Sequence, residues 1–515
     1  MLAGNPFFYT MTTNKNEHTS ADITEGYINK LTELTSDADI TLTIDHLMAF
    51  MSIFIEKRNV LLTGGAGVGK TTFVKTIVIP MLDHIGLVYG VTATTGIAGS
   101  HLDGQTLNSW MGFGLGTGDV LNQIRRAAVD LSPDELLDVY ERSLEEWYAN
   151  TKMATQRRGI INRLNSADVL LIDEISMCAG SALFGYVDFF LRRIRGEEHL
   201  PFGGLQVILI GDFAQLPPVA RFKGSRTDWA FLSASWRNAD IKVCNLTEVF
   251  RQEDKVFAGF LNRRRVGKPI TDEEMTYLRS FVRRQAPDDV KKASFLVSTN
   301  AEADNLNDKA LEWYPGKTIM LPAKYHIAID KLQRWETETT VKESLIKSVS
   351  VIKDVLKFRI GIPVLFTVNS PDGVYVNGTK GFVYDIHEDV GGFYDKTCIT
   401  VAIPRNNAEP LLVNVWRRKY SRSKYEDPEL LGNDNYPLYP QMRQFPLIPA
   451  TAITVHKSQG MSLDECSIDL SRSFAPGHVY VALSRLRTAE GLTLLSDDFK
   501  VMVDPDVVDF YRKVS

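Results

Sequence analysis

The run Gly64-Gly65-Ala66-Gly67-Val68-Gly69-Lys70-Thr71 constrains this 515-residue chain more than any other feature. It follows the apolar stretch Val60-Leu61-Leu62-Thr63 and precedes the helix-favouring Thr72-Phe73-Val74-Lys75. A G-x-x-x-x-G-K-[ST] spacing between a strand and a helix is a phosphate-cradling turn. Its glycines let backbone N–H groups turn inward around phosphate oxygens, and the helix N-terminus adds partial positive charge. Lys70 is placed to reach β- and γ-phosphates and Thr71 to ligate Mg²⁺, with Thr72 completing the nucleotide set.

Three further apolar runs read as buried parallel strands: Leu87-Val88-Tyr89, Val169-Leu170-Leu171-Ile172 and Val207-Ile208-Leu209-Ile210. Helix-like stretches separate them, so the class is α/β with a sheet covered on both faces. In such folds ligands bind at the carboxyl ends of the strands. Two of those ends carry chemistry. Asp173-Glu174 places one carboxylate to hold Mg²⁺ and a second to orient or deprotonate an attacking water. Standing alone, the pair reads equally well as a solvated strand end. Gln215, in Gly211-Asp212-Phe213-Ala214-Gln215-Leu216-Pro217-Pro218, has the donor and acceptor needed to sense a γ-phosphate; alone, it reads as an ordinary loop residue.

A second α/β run begins at Phe295-Leu296-Val297-Ser298 and resumes at Ala450 to Val455, Cys466 to Leu470 and Leu492 to Leu495. Between them, residues 324–449 alternate in the manner of β-strands, with an Asn377-Gly378 turn as a hairpin signal. A charged, helix-favouring insertion lies between Asp119 and Asn165.

The net charge of −5 excludes a surface coated in positive charge, so a nucleic-acid ligand needs a basic groove. Arg263-Arg264-Arg265 and Arg283-Arg284 are candidates for its lining, or are solvated faces. The four cysteines form no Cys-x-x-Cys pair, which fits a reducing compartment without zinc. No stretch has the roughly 20 apolar residues of a membrane span, nor the pattern of a signal or transit peptide. A cytoplasmic or nucleoid-associated protein without a membrane partner is expected.

Several more motifs, in order, resemble the Pif-one family of DNA helicases, in the 5′-to-3′ branch of helicase superfamily one, with RecD and Dda as cousins. They are Thr92 to Ala98, Gly104 to Ser109, Leu246 to Gln252, Thr299 to Asp304, Thr454 to Gly460 and Tyr480 to Arg485. Phe189 to Arg195 followed by Pro201 to Gln206 resembles the signature that separates this family from its cousins. The likeness runs from about Thr41 to Leu495.

The resemblance implies two RecA-like P-loop domains, with a helical wedge insertion and a small Src-homology-like barrel. The expected organisation is a mobile tail over 1–40, a first ATPase domain over 41–118 and 166–245, and the wedge region over 119–165. The second RecA-like domain takes 246–323 and 450–515, and the β-rich insert 324–449. ATP is the implied substrate and Mg²⁺ the cofactor. Arg251 and Arg485 match the arginines that reach the γ-phosphate from across a cleft, and Gly460 adds to the nucleotide site. Thr94, Thr95, Gly96, His456, Lys457, Ser458 and Gln459 match DNA-contacting motifs. Trp110 and Phe113 are offered as base-stacking rings, or as core aromatics. Three positions depart from the family: His46 stands where a glutamine usually reads the adenine edge, Asn108 where a histidine is common, and His478 where a glutamine is common. Single-stranded DNA and forked duplexes are the implied partners of a monomer. The competing classes are an ATP-driven remodeller or RNA motor without strand separation, and a nucleotide-gated interaction protein.

Overall fold

The computed structural model describes residues 18–38, 40–94, 102, 104–113, 124, 131–149, 154–218, 226–250, 254–282, 294–327, 337–348, 352–368, 370, 372–375, 378–387, 397–405, 408–421, 441–459, 461, 463, 465–473, 475–496, 498 and 501–514. The chain forms two compact units: Met1–Ile270 with Ala475–Tyr480 and Val501–Ser515, and Thr271–Phe474 with Val481–Lys500.

The first unit is built on a six-stranded parallel sheet. Its strands are β1 (Val60–Gly64), β2 (Tyr89–Ala93), β3 (Gln105–Thr106), β4 (Val169–Asp173), β5 (Gln206–Ile210) and β6 (Lys242–Leu246). Their spatial order is β3-β2-β4-β5-β1-β6. β1 and β4 are buried at every position, as expected of strands covered on both faces. The chain leaves β1 and returns beyond β4 as β2, and the turn after β1 lies at the carboxyl end of the sheet, where ligands bind in such folds. The sequence missed β3, which is two residues long, and β6, whose mixed composition fits an edge strand. The run expected at Leu87-Val88-Tyr89 enters the sheet only at Tyr89.

Residues 18–37 do not behave as the expected tail. They form a helix whose Leu31 is buried in the core of this unit, with Tyr27 and Leu34 packed against the same core. The spacing i, i+4, i+7 puts these three on one helix face, which explains the docking. The charged insertion contains the helices Pro133–Ala149 and Ala154–Ser166. Trp147 of the first is buried edge-on against Phe190, and its indole N–H donates to Gly112 O at 3.2 Å.

The second unit has a four-stranded parallel sheet in the order Ala452–Thr454, Ser294–Val297, Cys466–Ile468, Leu492–Leu494. Its β-rich part is a five-stranded antiparallel sheet, Ala408–Trp416, Cys398–Arg405, Lys380–His387, Pro363–Phe366 and Leu447–Pro449. Register shifts at Val383/Asp385 and Ile403/Arg405 bend the sheet. It has its own core, including Phe358, Val364, Phe366, Val401 and Phe445.

Candidate nucleotide site

At the carboxyl end of β1 the backbone must turn sharply while packed against a neighbour. Gly64 has φ +150, and a Cβ there would stand 2.4 Å from Leu246 O of β6. Gly69 has φ +83 and opens the helix beginning at Lys70, a left-handed conformation that a side chain would strain. Val68 is buried and anchors the loop to the core. Phe250 N donates to Gly67 O at 2.9 Å, fixing the loop's outer edge. Lys70 Nζ donates to Gly64 O at 2.7 Å and Gly65 O at 2.9 Å, which holds the amine inside the loop's curve. Burial pushes its pKa down to about 8, opposed by the negative charge of Asp212, Glu174 and Asp173. The structure therefore brings the sequence-predicted Lys70, Asp173 and Glu174 into one electrostatic cluster, together with Asp212. Thr71 and Thr72 are exposed on the first helical turn.

Asp173 ends β4 as a buried carboxylate. Burial first, then the adjacent Glu174, push its pKa up to about 8. A carboxylate so disfavoured in its charged form fits a cation ligand, and with the Thr71 hydroxyl it offers the hard oxygen donors that Mg²⁺ takes beside substrate phosphates. Glu174 sits at φ 52, ψ 46, a left-handed conformation uncommon for a residue with a side chain. Its carbonyl accepts the Thr94 hydroxyl at 3.0 Å, and Thr94 N donates to Asp173 O at 3.3 Å. Thr94, the first residue of the expected DNA-contacting motif, is thus bonded to the backbone of the acidic pair.

Asp212, which the sequence did not single out, is the centre of a buried network. It is 0 % exposed and meets Arg265 Nε at 3.1 Å, Tyr480 Oη at 3.0 Å and Tyr511 Oη at 2.7 Å. Burial alone would raise its carboxyl, but the Arg265 and Lys70 charges outweigh that and hold it below the usual range. Tyr480 Oη also accepts Ala66 N of the phosphate loop at 3.0 Å. Tyr511 Oη accepts Phe213 N at 3.0 Å and lies 3.0 Å from Thr63 Oγ1. One carboxylate therefore ties β1, the phosphate loop, the helix Lys255–Arg265 and the C-terminal helix Pro505–Val514 together. Arg265, read from sequence as a groove or surface residue, is instead a buried counter-ion, and Arg264 is buried beside it. Long-range pairing of this kind leaves no periodic signal. Removing the hydroxyl in Tyr511→Phe leaves Phe213 N–H without its acceptor, and such a loss costs about 1–3 kcal/mol. Urea denaturation should show it; a change below about 0.5 kcal/mol would contradict the network's role.

Gln215 is buried at the end of the turn after β5, its N donating to Asp212 O at 2.9 Å. Gly477, at φ +77, packs so tightly there that a Cβ would lie 2.3 Å from Gln215 O. His46 lies in the helix Ile44–Phe50, tilted against Phe73 with ring centroids 5.0 Å apart. Trp110 and Phe113 are 3 % and 0 % exposed. Phe113 packs against Tyr186 and Phe190, and Trp110 O accepts Arg163. Neither ring presents a face for a base, and the stacking expectation is corrected: both belong to the apolar core. Arg251, Thr95, Gly96 and Gly460 lie outside the described residues, as do Arg283 and Arg284.

In the second unit, Ser458 is buried, its hydroxyl donating to Val455 O at 2.8 Å, and Gln459 is buried beside it. That hydroxyl serves the turn itself. His456 and Lys457 are half-buried, and burial lowers the pKa of each. Arg485 is 2 % exposed. It donates to Val481 O at 3.0 Å and Ser484 Oγ at 2.9 Å, with longer contacts to Ser458 O and Met461 O at 3.4 Å.

A phosphate loop at the carboxyl end of a parallel sheet, with an acidic pair at the end of another strand of that sheet, defines a P-loop nucleotide hydrolase of the RecA-like class. A sequence model of the PIF1-like helicases matches residues 144–263. The chain is 32 % identical to the ATP-dependent DNA helicase Pif1 of Bdellovibrio bacteriovorus, over 88 % of each protein. It is 31 % identical to ATP-dependent DNA helicase PIF1 of Danio rerio, covering 90 % of this chain and 63 % of that longer protein. The Pif1 helicase from Bacteroides, solved with ADP-AlF3 and ssDNA, superposes with a TM-score of 0.63 at 26 % identity, covering 92 % of this chain and 97 % of that one. The chain belongs to the Pif1 helicase family.

Proposed function

We propose that this protein is an ATP-dependent DNA helicase that moves 5′ to 3′ on single-stranded DNA and separates duplexes at forks, in replication, repair or recombination. The observation that carries the reading is the cluster of Lys70, Asp173 and Glu174 at the carboxyl end of one parallel sheet, in a chain of this family. Lys70 neutralises phosphate charge as it builds in the transition state, and Glu174 takes the proton of the attacking water. Thr71 and Asp173 would hold Mg²⁺, which would supply positive charge to offset that of the phosphates. Gln215 senses the γ-phosphate. Arg251 and Arg485 supply further positive charge to the transferring phosphoryl group, an effect worth roughly 10³–10⁵ in rate where such arginines act.

Thr94, Thr95 and Gly96 contact the DNA backbone, joined by His456 and Lys457, while the buried Ser458 and Gln459 hold the turn that presents them. The Thr94–Glu174 hydrogen bond supports a direct coupling of strand binding to hydrolysis. In this reading the two RecA-like domains, the wedge over 119–165 and the insert over 324–449 act as a monomer, cytoplasmic or nucleoid-associated. Among the described residues no helix is long and apolar enough to cross a membrane.

ATP hydrolysis measured with and without single-stranded DNA tests the reading: strong stimulation is expected, and none would remove the motor. DNA affinity should fall steeply with added salt, because phosphate contacts release counterions. A flat salt response would contradict the groove.

The lowered pKa of Lys70 sets a pH dependence. Below about pH 8 the amine already carries its proton in the nucleotide-free protein. Above it, phosphate binding must draw a proton in, so affinity drops by up to about tenfold per pH unit. Calorimetric titration with ADP at pH 7, 8 and 9 should show a loss of about twofold from pH 7 to 8 and about fivefold more from pH 8 to 9. Constant affinity to pH 9 would contradict the assignment.

A further inference from the structure

A pocket of about 310 Å³ adjoins the phosphate loop, sharing Gly69 and Thr72 with it. Leu42, Phe73 and the half-exposed ring of Phe250 give it apolar walls suited to the faces of a nucleobase. His46 supplies an imidazole to this pocket and is 4 % exposed.

Its orientation is fixed by its own helix. Thr43 caps that helix, and Thr43 N donates to His46 Nδ1 at 3.3 Å while His46 N donates to Thr43 Oγ1. The Thr43 hydroxyl also lies 2.7 Å from Nδ1. An Nδ1 that accepts an N–H carries no proton of its own, so the neutral ring holds its proton on Nε2. Burial, opposed by the Asp45 charge, lowers the pKa of this ring, in keeping with a neutral imidazole. Nε2 faces the loop: a Cβ on Gly69 would stand 3.9 Å from it. The polar group that His46 turns toward the loop is thus a single donor.

That donor is informative when set against the bases. Adenine presents N7 as an acceptor beside the N6 amino donor, whereas guanine presents N7 and O6, both acceptors. A glutamine amide pairs with adenine through N6 and N7 together. The Nε2–H group reads only an acceptor, and N7 is common to both purines and absent from pyrimidines.

We propose that His46 makes this a purine-nucleotide site rather than an adenine site, so that guanine nucleotides serve beside adenine nucleotides and pyrimidine nucleotides do not. The inference rests on the nucleotide-site reading above.

Calorimetric titration of the full chain with ADP, GDP, CDP and 7-deaza-ADP tests it without requiring hydrolysis. ADP and GDP should bind within about fivefold of each other, and CDP at least about tenfold more weakly. The analogue lacking N7 should lose about five- to tenfold against ADP, the worth of one neutral hydrogen bond. His46→Asn keeps an oxygen for Thr43 N–H and removes the Nε2 donor. It should weaken ADP and GDP alike and abolish the 7-deaza difference, with the thermal midpoint confirming that the variant is folded. His46→Gln should shift preference toward ADP by about tenfold. An ADP preference of about a hundredfold in the unmodified protein, or equal binding of ADP and 7-deaza-ADP, would overturn the proposal. ATP hydrolysis with and without single-stranded DNA separates the two claims. Purine binding without stimulated hydrolysis sinks the helicase alone. Stimulated hydrolysis with strict ADP selectivity sinks the base assignment alone, and absence of nucleotide binding sinks both.

Discussion

Lys70→Ala is expected to abolish ATP hydrolysis, with a fall of at least about 10³-fold, or about 4 kcal/mol of transition-state stabilisation. The amine is held inside the loop by Gly64 O and Gly65 O, where burial has already lowered its pKa. A charge kept in so restricted a position acts without reorganisation when phosphate charge builds up. The loop's shape depends on Gly64, Gly69 and buried Val68, so the substitution should leave the fold intact. An unchanged thermal midpoint checks this. Hydrolysis within about tenfold of the unmodified protein would remove Lys70 from the mechanism.

Glu174→Gln is expected to separate binding from turnover. Glutamine keeps the size of the side chain and loses the base, so nucleotide affinity should change by less than about threefold. Turnover should fall by about 10²–10⁴, the usual worth of a positioned general base. The position matters as much as the charge. Glu174 adopts a left-handed conformation between β4 and the turn Ile175–Met177, with its carbonyl tied to Thr94. Strain of this kind persists where surrounding structure enforces it, and it is common at functional sites. Single-turnover measurements on pre-bound ATP give the chemical step directly. Retained turnover would assign the water to another group.

The central parallel sheet and its loop were legible because each rests on local pattern. β1, β4 and β5 are unbroken apolar runs, and the glycines and Lys70 follow β1 at fixed spacing. What escaped notice depends on distant partners. β6 runs from an exposed Lys242 to buried Cys244 and Leu246 at the sheet edge, and its place beside β1 is set by tertiary pairing. The helix His18–Asp37 looked like a tail because its apolar positions are few, yet Leu31 finds a core contributed by later residues. Trp110 and Phe113 suggested stacking surfaces, but Tyr186 and Phe190, about 75 residues downstream, enclose Phe113, and Trp110 is buried as well. Arg265 looked like part of a basic run and proves to be the counter-ion of Asp212. The Asp212 network joins Thr63, Ala66, Arg265, Tyr480 and Tyr511, and no spacing rule connects residues so far apart. His46 is the instructive intermediate case. The sequence flagged it as a departure, but only the Thr43 cap shows which ring nitrogen is left to face the loop.

The most direct test of the motor reading is strand separation on duplexes carrying a single-stranded tail at either the 5′ or the 3′ end, with Mg²⁺ and ATP. The account predicts displacement from the 5′-tailed duplex, none from the 3′-tailed one, and none from either with Lys70→Ala. Displacement from the 3′ tail alone, or DNA-stimulated hydrolysis without displacement from either, would contradict it.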